Sequence, residues 1–249
     1  MNYKYELNNT FSNFKEFLLN IESYFKEKSQ NTIHKARNEL KIIPYKNIST
    51  VVKSFKIPHL LNRFIYTFFR DSKAKKSYRY SLKIGDFTPK PIGYIEFYKS
   101  GLLSKSFFIS EEFAYDFTIR EPLLDENFPD KEALYKAFAA FTFALHENNI
   151  LHKDYSPGNI LIKKEQDSYT FKVVDINRME FKKLSTDERL QNFDKLWAKD
   201  DDLRIIIQEY AKIAKINETE ALKKALHYSQ KLKNFKNMKK RLKGKPVVD

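Results

Sequence analysis

The sequence predicts an α+β protein of two lobes within one domain, a small β-rich N-terminal lobe over residues 1–114 and a larger helical lobe over residues 115–249. Three observations predict it. Short β-branched and aromatic runs dominate the first part of the chain, and helical periodicity dominates after Asp130. Within the second part, one segment from Leu151 to Leu161 carries an Asp, an Asn and a Pro-Gly turn between a helix and a strand. A chain of 249 residues is long enough to bury a full core in this way.

Taken in order, Phe14, Phe17, Leu18, Ile21 and Phe25 keep a helical period, so a helix precedes the first strands. Thr32 to Lys35, Leu40 to Pro44 and Ser49 to Phe55 read as three strands with short turns. In the third, the alternation of Thr50-Val51-Val52-Lys53 points Lys53 into a cleft between the lobes. A strand lysine is ordinarily just solvent-facing; its place upstream of the Leu151–Leu161 loop singles it out. A helix from about Ser72 to Ile84 stops at Gly85, and strands around Ile92 to Tyr98 and Leu103 to Ile109 are joined through Ser100-Gly101. Glu111-Glu112-Phe113-Ala114 suits a hinge in which backbone groups of Glu112 and Ala114 meet adenine. Asp130, after Pro129, reads as the N-cap of a helix through Ala137 to Leu145, and the pattern is helical again from Thr186. No internal repeat, low-complexity tract or long linker interrupts the order.

The loop carries the chemistry. Leu151-His152-Lys153-Asp154-Tyr155-Ser156-Pro157-Gly158-Asn159 has the form H-x-D-x-x-x-x-N, and Asp175 ends the run Phe171-Lys172-Val173-Val174, which is able to pair antiparallel with Ile160-Leu161-Ile162. Kinase-like enzymes divide phosphoryl transfer among three such groups: one Asp takes the hydroxyl proton, while the Asn and a second Asp hold Mg²⁺ on the ATP phosphates. Pro157-Gly158 supplies the turn that brings the Asn back toward the metal. Hard carboxylate and amide oxygens are what Mg²⁺ prefers. Singly, each residue has a blander reading, since a loop Asp is usually a turn former and an Asn before a strand usually a cap. It is the joint pattern of Asp154, Asn159 and Asp175 that points to a phosphotransferase. His152 is expected to brace the loop rather than to react.

Composition narrows the class further. The absence of cysteine excludes disulfide scaffolds, thiol catalysis and Cys-based zinc sites. The 22 Phe and 15 Tyr are mostly core and cleft lining. Met1 to Glu6 has no apolar signal core, and the longest apolar stretch, Ala137 to Leu145, is too short to span a bilayer, so a cytoplasmic protein or one held peripherally on a cytoplasmic membrane face is expected. Lys and Arg number 46 against 32 Asp and Glu, a formal net charge of +14, and ten of the basic residues lie between Lys223 and Lys245, where no acidic residue occurs. Leu222, Leu226, Leu232, Phe235, Met238 and Leu242 recur there at roughly helical spacing. Such a helix either lies on anionic lipid or packs on the body with a solvated basic face. No nucleic-acid motif accompanies the charge, so nucleic acid is not expected as a partner.

Together with Val52-Lys53-Ser54-Phe55, Lys73-Ala74-Lys75-Lys76-Ser77-Tyr78, Thr88-Pro89-Lys90-Pro91-Ile92-Gly93-Tyr94 and Val174-Asp175-Ile176-Asn177-Arg178-Met179, the loop resembles the lipopolysaccharide kinases of the Kdo/WaaP type, a branch of the protein-kinase-like fold. The resemblance runs from about Thr32 to Leu196. It implies ATP- and Mg²⁺-dependent phosphorylation of a sugar hydroxyl, on 3-deoxy-D-manno-octulosonic acid (Kdo) or heptose, in a lipid-borne lipopolysaccharide inner core at the cytoplasmic face of a Gram-negative inner membrane. By position it makes Lys53 the phosphate-binding lysine, Asp154 the base, and Asn159 and Asp175 the metal ligands. Two features depart from protein kinases. No acidic residue lies between Ser72 and Ile84, and Arg79 stands where the helix Glu that pairs with the strand lysine is expected. There is no G-x-G-x-x-G; the first hairpin turn is Ala36-Arg37-Asn38-Glu39, so phosphate contact there falls to backbone N–H groups or to Arg37. After Asp175 come Ile176-Asn177 and no A-P-E segment or long activation loop, which favours a small hydroxyl acceptor over a protein. The competing reading is a pseudokinase that acts as a nucleotide-binding or membrane-docking module; a kinase for a protein or another small metabolite is the third.

Overall fold

The computed structural model describes residues 2–27, 32–35 (main chain only), 38–244 and 246. The chain divides into two compact units, Met1–Phe113 and Ala114–Asp249.

The first unit is built on a six-stranded antiparallel sheet of β1 (Asn2–Leu7), β2 (Thr32–Lys35), β3 (Glu39–Tyr45), β4 (Ile48–Phe55), β5 (Pro91–Lys99) and β6 (Leu102–Glu111), in the order β1-β5-β6-β4-β3-β2. Lys46-Asn47 and Ser100-Gly101 close the β3–β4 and β5–β6 hairpins with positive φ at all four residues, as two-residue turns matched to strand twist require. Alternation along the strands gives the sheet two apolar faces. On one, Ile43, Val52, Ile95, Phe107 and Ile109 are buried under Phe14, Phe17, Leu18, Ile21 and Phe25. Those aromatics come from a 3-10 turn (Asn9–Phe14) and two short helices, α1 (Lys15–Leu19) and α2 (Ile21–Glu27); the single helix expected here breaks at Asn20.

Two more helices follow β4. Helix α3 (Leu60–Phe68) and strand β1 are elements that the sequence pattern did not predict. Helix α4 (Lys73–Ile84) matches expectation, capped by Ser72 Oγ accepting from the Lys75 N–H at 3.1 Å and ended by Gly85 at φ 56°. It lays Ala74 and Tyr78 against Phe55 and Tyr94 on the second face of the sheet.

The second unit is mainly helical. Strand β7 (Phe117–Thr118) and helix α5 (Arg120–Leu124) lead to α6 (Lys131–Glu147). The strands β8 (Ile150–His152), β9 (Ile160–Lys164), β10 (Tyr169–Val173) and β11 (Met179–Phe181) form two small sheets, β10-β9-β7 and β11-β8. The expected antiparallel pairing holds, with Phe171 opposite Ile162 and Val173 opposite Ile160. Three helices complete the unit: α7 (Thr186–Asn192), α8 (Asp200–Ala214) and α9 (Glu218–Arg241). Phe138 and Leu145 of α6, and Leu203, Ile206 and Tyr210 of α8, are all buried in its core. Helix α7 opens on a capping box in which Ser185 and Glu188 satisfy each other's main-chain N–H groups.

Two expectations need correction. Asp130 does not cap α6: it sits at φ 54° with no side-chain cap bond, and its Oδ2 accepts from Lys164 Nζ at 3.0 Å instead. Helix α9 is not uniformly apolar along its predicted stripe. Its first half buries the small residues Ala221, Ala225 and Ser229, while Phe235, Met238 and Leu242 are exposed among lysines, and Lys245 lies outside the described residues. Among the described residues no helix is long and apolar enough to cross a membrane.

Candidate active site

Helix α6 delivers the chain to β8, and His152 at the end of that strand organises the loop beyond it. Its Nε2 donates to the Val174 carbonyl at 2.9 Å, and its Nδ1 accepts from the Asp154 N–H at 3.1 Å. Both bonds together require the neutral imidazole with its proton on Nε2, and burial pushes the His152 pKa down, which favours that form. One neutral ring thus pins the Asp154 backbone to the strand that ends just before Asp175.

Asn159 closes the loop from its other end. Its Nδ2 donates to the Asp154 carbonyl at 2.9 Å and to Ser156 Oγ at 3.1 Å, while its own carbonyl accepts from the Val174 N–H at 2.9 Å. With the amide nitrogen engaged inside the loop, the amide oxygen is left outside those bonds as a hard ligand atom. Asp175 adopts the left-handed conformation at φ 56°, ψ 42°, tolerable for an Asp, and its Oδ1 accepts from Asn177 Nδ2 at 2.7 Å. The structure therefore brings Asp154, Asn159 and Asp175 into one hydrogen-bonded unit through His152 and Val174. Among the described residues no group of three or more His, Asp or Glu converges on a metal position. An Asn oxygen and one carboxylate instead fit a hard divalent cation that takes its remaining ligands from phosphate and water.

Four further residues hold the loop or border it. Tyr155 is wholly buried, stacked on Phe138 at 5.8 Å, with its hydroxyl 2.9 Å from Thr142 Oγ1. Asn192 Nδ2 donates to the His152 carbonyl at 3.0 Å; its Oδ1 accepts from His146 Nε2 at 3.2 Å, and His146 Nδ1 accepts from the Tyr210 hydroxyl at 2.8 Å. Burial holds the His146 pKa down to about 4. Arg178 places a guanidinium nitrogen 3.8 Å from Asp154 Oδ2, setting a cation beside the candidate base. Arg120 packs on Gly158 so closely that a Cβ there would stand 2.8 Å from its terminal nitrogen. None of these was singled out from sequence; for Arg178 the signal was its place three residues after Asp175, and for Asn192 there was none.

The remaining expected residues lie in or next to the first unit. Lys53 is half-buried on β4, on the face shared with Phe55 and α4, its Nζ 5.4 Å from the Phe55 ring centre. Arg79, in the position of the expected helix Glu, pairs with Glu6 at 2.9 Å and Asp71 at 3.4 Å. The Glu112 N–H donates to the Ser49 carbonyl at 2.8 Å and its carboxylate accepts from Ser49 Oγ. Ala114 is exposed, and its N–H has no partner among the described residues. Arg37 lies outside the described residues.

Comparison with known proteins bears on the same residues. The lipopolysaccharide kinase (Kdo/WaaP) family matches residues 73–228, more than half of the chain. The chain belongs to that family. It is accordingly a kinase. The match contains Glu112, Ala114, Asp154, Asn159 and Asp175 but starts beyond Lys53 and Arg37, so it begins later than the resemblance drawn from Thr32. Among solved structures, WaaP in complex with acyl carrier protein superposes with a TM-score of 0.58 at 16% identity, covering 92% of this chain and 99% of that one. That likeness shows a protein-kinase-like fold for both units. A Rio2 kinase from Chaetomium thermophilum, solved as an ADP/Mg²⁺-phosphoaspartate complex, has a TM-score of 0.47 at 16% identity over 83% of this chain and 65% of that one. No curated protein matches the sequence significantly.

Proposed function

We propose that this lipopolysaccharide-kinase family member uses ATP and Mg²⁺ to phosphorylate a sugar hydroxyl, on Kdo or heptose, of a lipid-borne inner core. The observation that carries the reading is the way His152 and Asn159 bond to the Asp154 main chain at 3.1 and 2.9 Å while leaving its carboxylate out of both bonds. Asp154 is then the group that orients the acceptor hydroxyl and takes its proton as the phosphorus–oxygen bond forms. Asn159 Oδ1 and the Asp175 carboxylate hold Mg²⁺, which when bound neutralises charge on the nucleotide phosphates. Lys53 serves the α/β-phosphates, and the Glu112 carbonyl with the Ala114 N–H reads adenine. The two compact units act as the lobes of one kinase domain.

Only Ile176 to Ser185 separate Asp175 from α7, and they hold a 3-10 turn and the three-residue β11. This leaves no platform for a peptide, which supports the small-hydroxyl acceptor. The last turns of α9, with Phe235, Met238 and Leu242 exposed among Lys236, Lys239, Lys240 and Arg241, favour peripheral contact with an anionic membrane surface at the cytoplasmic face.

The test is direct. The protein is incubated with ATP, Mg²⁺ and a Kdo-bearing lipid A acceptor, with and without acyl carrier protein because WaaP was solved with one, and the acceptor is weighed by mass spectrometry. Gain of one phosphate supports the reading. Nucleotide binding without transfer to Kdo or heptose acceptors supports the pseudokinase alternative.

A further inference from the structure

Helix α3 is amphipathic the wrong way round for a soluble surface. Leu60, Leu61, Phe64 and Phe68 follow i, i+1, i+4, i+8 spacing and so share one face, which a surface helix ordinarily turns to the core. Here that face is turned to solvent. Leu60 is 69% exposed, Leu61 74%, Phe68 61% and the flanking Phe69 73%, and no residue of the helix is buried. Polar groups hold the helix to the body: Arg63 Nε donates to the Leu103 carbonyl at 2.6 Å, and Thr67 Oγ1 accepts from the Leu103 N–H at 2.9 Å. The outward rings are clustered, with Phe64 5.9 Å or less from both Phe68 and Phe69. An exposed apolar face of this kind marks an interaction site.

Charge identifies the occupant. From Lys56 to Arg70 there is no acidic residue, and Lys56, His59 and Arg70 flank the apolar face. The first acid, Asp71, is held by Lys75 at 2.8 Å and by Arg79 at 3.4 Å. Phe68, Phe69 and Arg70 also line, with Lys4 and Lys75, a cavity of about 290 Å³ at the same edge, to which Asp71 and Glu96 contribute carboxylates. Apolar side chains rimmed by cations match a bilayer whose surface is anionic and whose interior is hydrocarbon. We infer that α3 inserts into an anionic membrane surface and holds the N-terminal unit on the bilayer that carries the acceptor. The inference rests on the lipid-borne acceptor proposed above, and it concerns an element in a different unit from α9.

Full-length protein is sedimented with phosphatidylcholine vesicles and with vesicles that also contain phosphatidylglycerol. Leu61→Ser, Phe64→Ser and Phe69→Ser combined should lower partitioning onto the mixed vesicles at least about tenfold, given the transfer free energy of such side chains. Melting temperature and phosphate transfer to a soluble sugar acceptor should hold, because Leu61 and Phe69 are about three-quarters exposed and Phe64 is half exposed. A second readout places a probe: Leu61→Trp should be quenched by brominated acyl chains beyond whatever Trp197, the single native tryptophan, shows alone. Unchanged partitioning of the triple variant, no binding of the intact protein to any vesicle, or no added quenching overturns the inference. If α3-dependent binding is found but no Kdo- or heptose-bearing lipid is phosphorylated, the docking surface stands and the proposed acceptor fails; transfer to a soluble acceptor by a protein that ignores vesicles is the reverse result.

Discussion

Replacing Asp154 by Asn separates chemistry from scaffolding, because the contacts that build the loop use the main chain of Asp154 and not its carboxylate. The N–H reaches His152 Nδ1 at 3.1 Å and the carbonyl receives Asn159 Nδ2 at 2.9 Å, and both survive the substitution. The carboxylate itself meets Arg178 at 3.8 Å, across a pair in which the arginine side chain is 67% exposed. Ion pairs this exposed are worth about 0 to 1 kcal/mol, so at about 2 to 4 °C per kcal/mol the melting temperature should move by no more than about 4 °C. Losing a positioned proton acceptor costs about 10²- to 10⁴-fold in rate, so turnover should collapse in a protein that is still folded. The assay is single-turnover phosphate transfer to the Kdo-bearing acceptor, paired with a thermal melt of the same preparation. Transfer at the parent rate refutes the base assignment. A melt lowered by about 10 °C refutes the claim that the carboxylate is not structural.

Three other outcomes are expected. Mg²⁺ with ATP at about 100 times its dissociation constant should stabilise the fold by about 2.7 kcal/mol, or about 5 to 10 °C in a thermal melt, and Asp175→Ala should abolish the magnesium-dependent part; a shift that survives the substitution removes Asp175 from the metal. His146, held neutral by burial with a pKa near 4 against an ordinary 6.5, binds its proton more readily in the unfolded chain, so its contribution is present above pH 6.5 and is lost as pH falls toward 4. At about 1.4 kcal/mol per pH unit this is a loss of up to about 3 kcal/mol, and a melting series from pH 7 to pH 4.5 should be less steep for His146→Gln than for the parent. A Cβ added at Gly93 would stand 2.8 Å from the Glu6 main-chain oxygen, whereas one at Gly158 meets the mobile end of Arg120 at the same distance. Gly93→Ala should therefore cost about 1 to 3 kcal/mol by displacing β1, and Gly158→Ala much less, as compared by denaturant titration.

How legible each feature was in the sequence depends on how far apart the contacting residues are. The bonds of Asn159 to Asp154 and Ser156 span five residues or fewer, so the H-x-D-x-x-x-x-N spacing already contains them. The strand pairing that brings Val174 alongside is a hairpin of β9 and β10, equally local. Asn192, which supports the same loop from 40 positions away, leaves no such trace. Strand β1 was missed because its alternation is brief and its partner β5 lies more than 80 residues on. Helix α3 did leave a trace, the helical spacing of Leu60, Leu61, Phe64 and Phe68, although the pattern was not assigned to a helix. For α9 the apolar count was right and its use was not: the helix buries the small residues Ala221, Ala225 and Ser229 and leaves the larger Phe235, Met238 and Leu242 outside.

The residue that departs most from the protein-kinase pattern is paired with two acids, and this bears on whether the departure signals lost activity. Arg79 donates to Glu6 at 2.9 Å, and the same Glu6 oxygen accepts from the Tyr94 hydroxyl at 3.0 Å. Desolvation first, and then the Glu6 bond, push the Tyr94 pKa far up, so the hydroxyl stays a donor and Glu6 has two donors to satisfy its charge. A glutamate at position 79 would stand against the two carboxylates, Glu6 and Asp71, that Arg79 now pairs with. Arginine is thus the side chain this environment needs, and β1 supplies the carboxylate that makes it so. A pseudokinase that had simply lost its helix glutamate would have no reason to hold the replacement between two acids. The arrangement reads instead as α4 tied to β1 by its own ion-pair network, with Lys53 held on the β4 face beside Phe55 without a glutamate from α4.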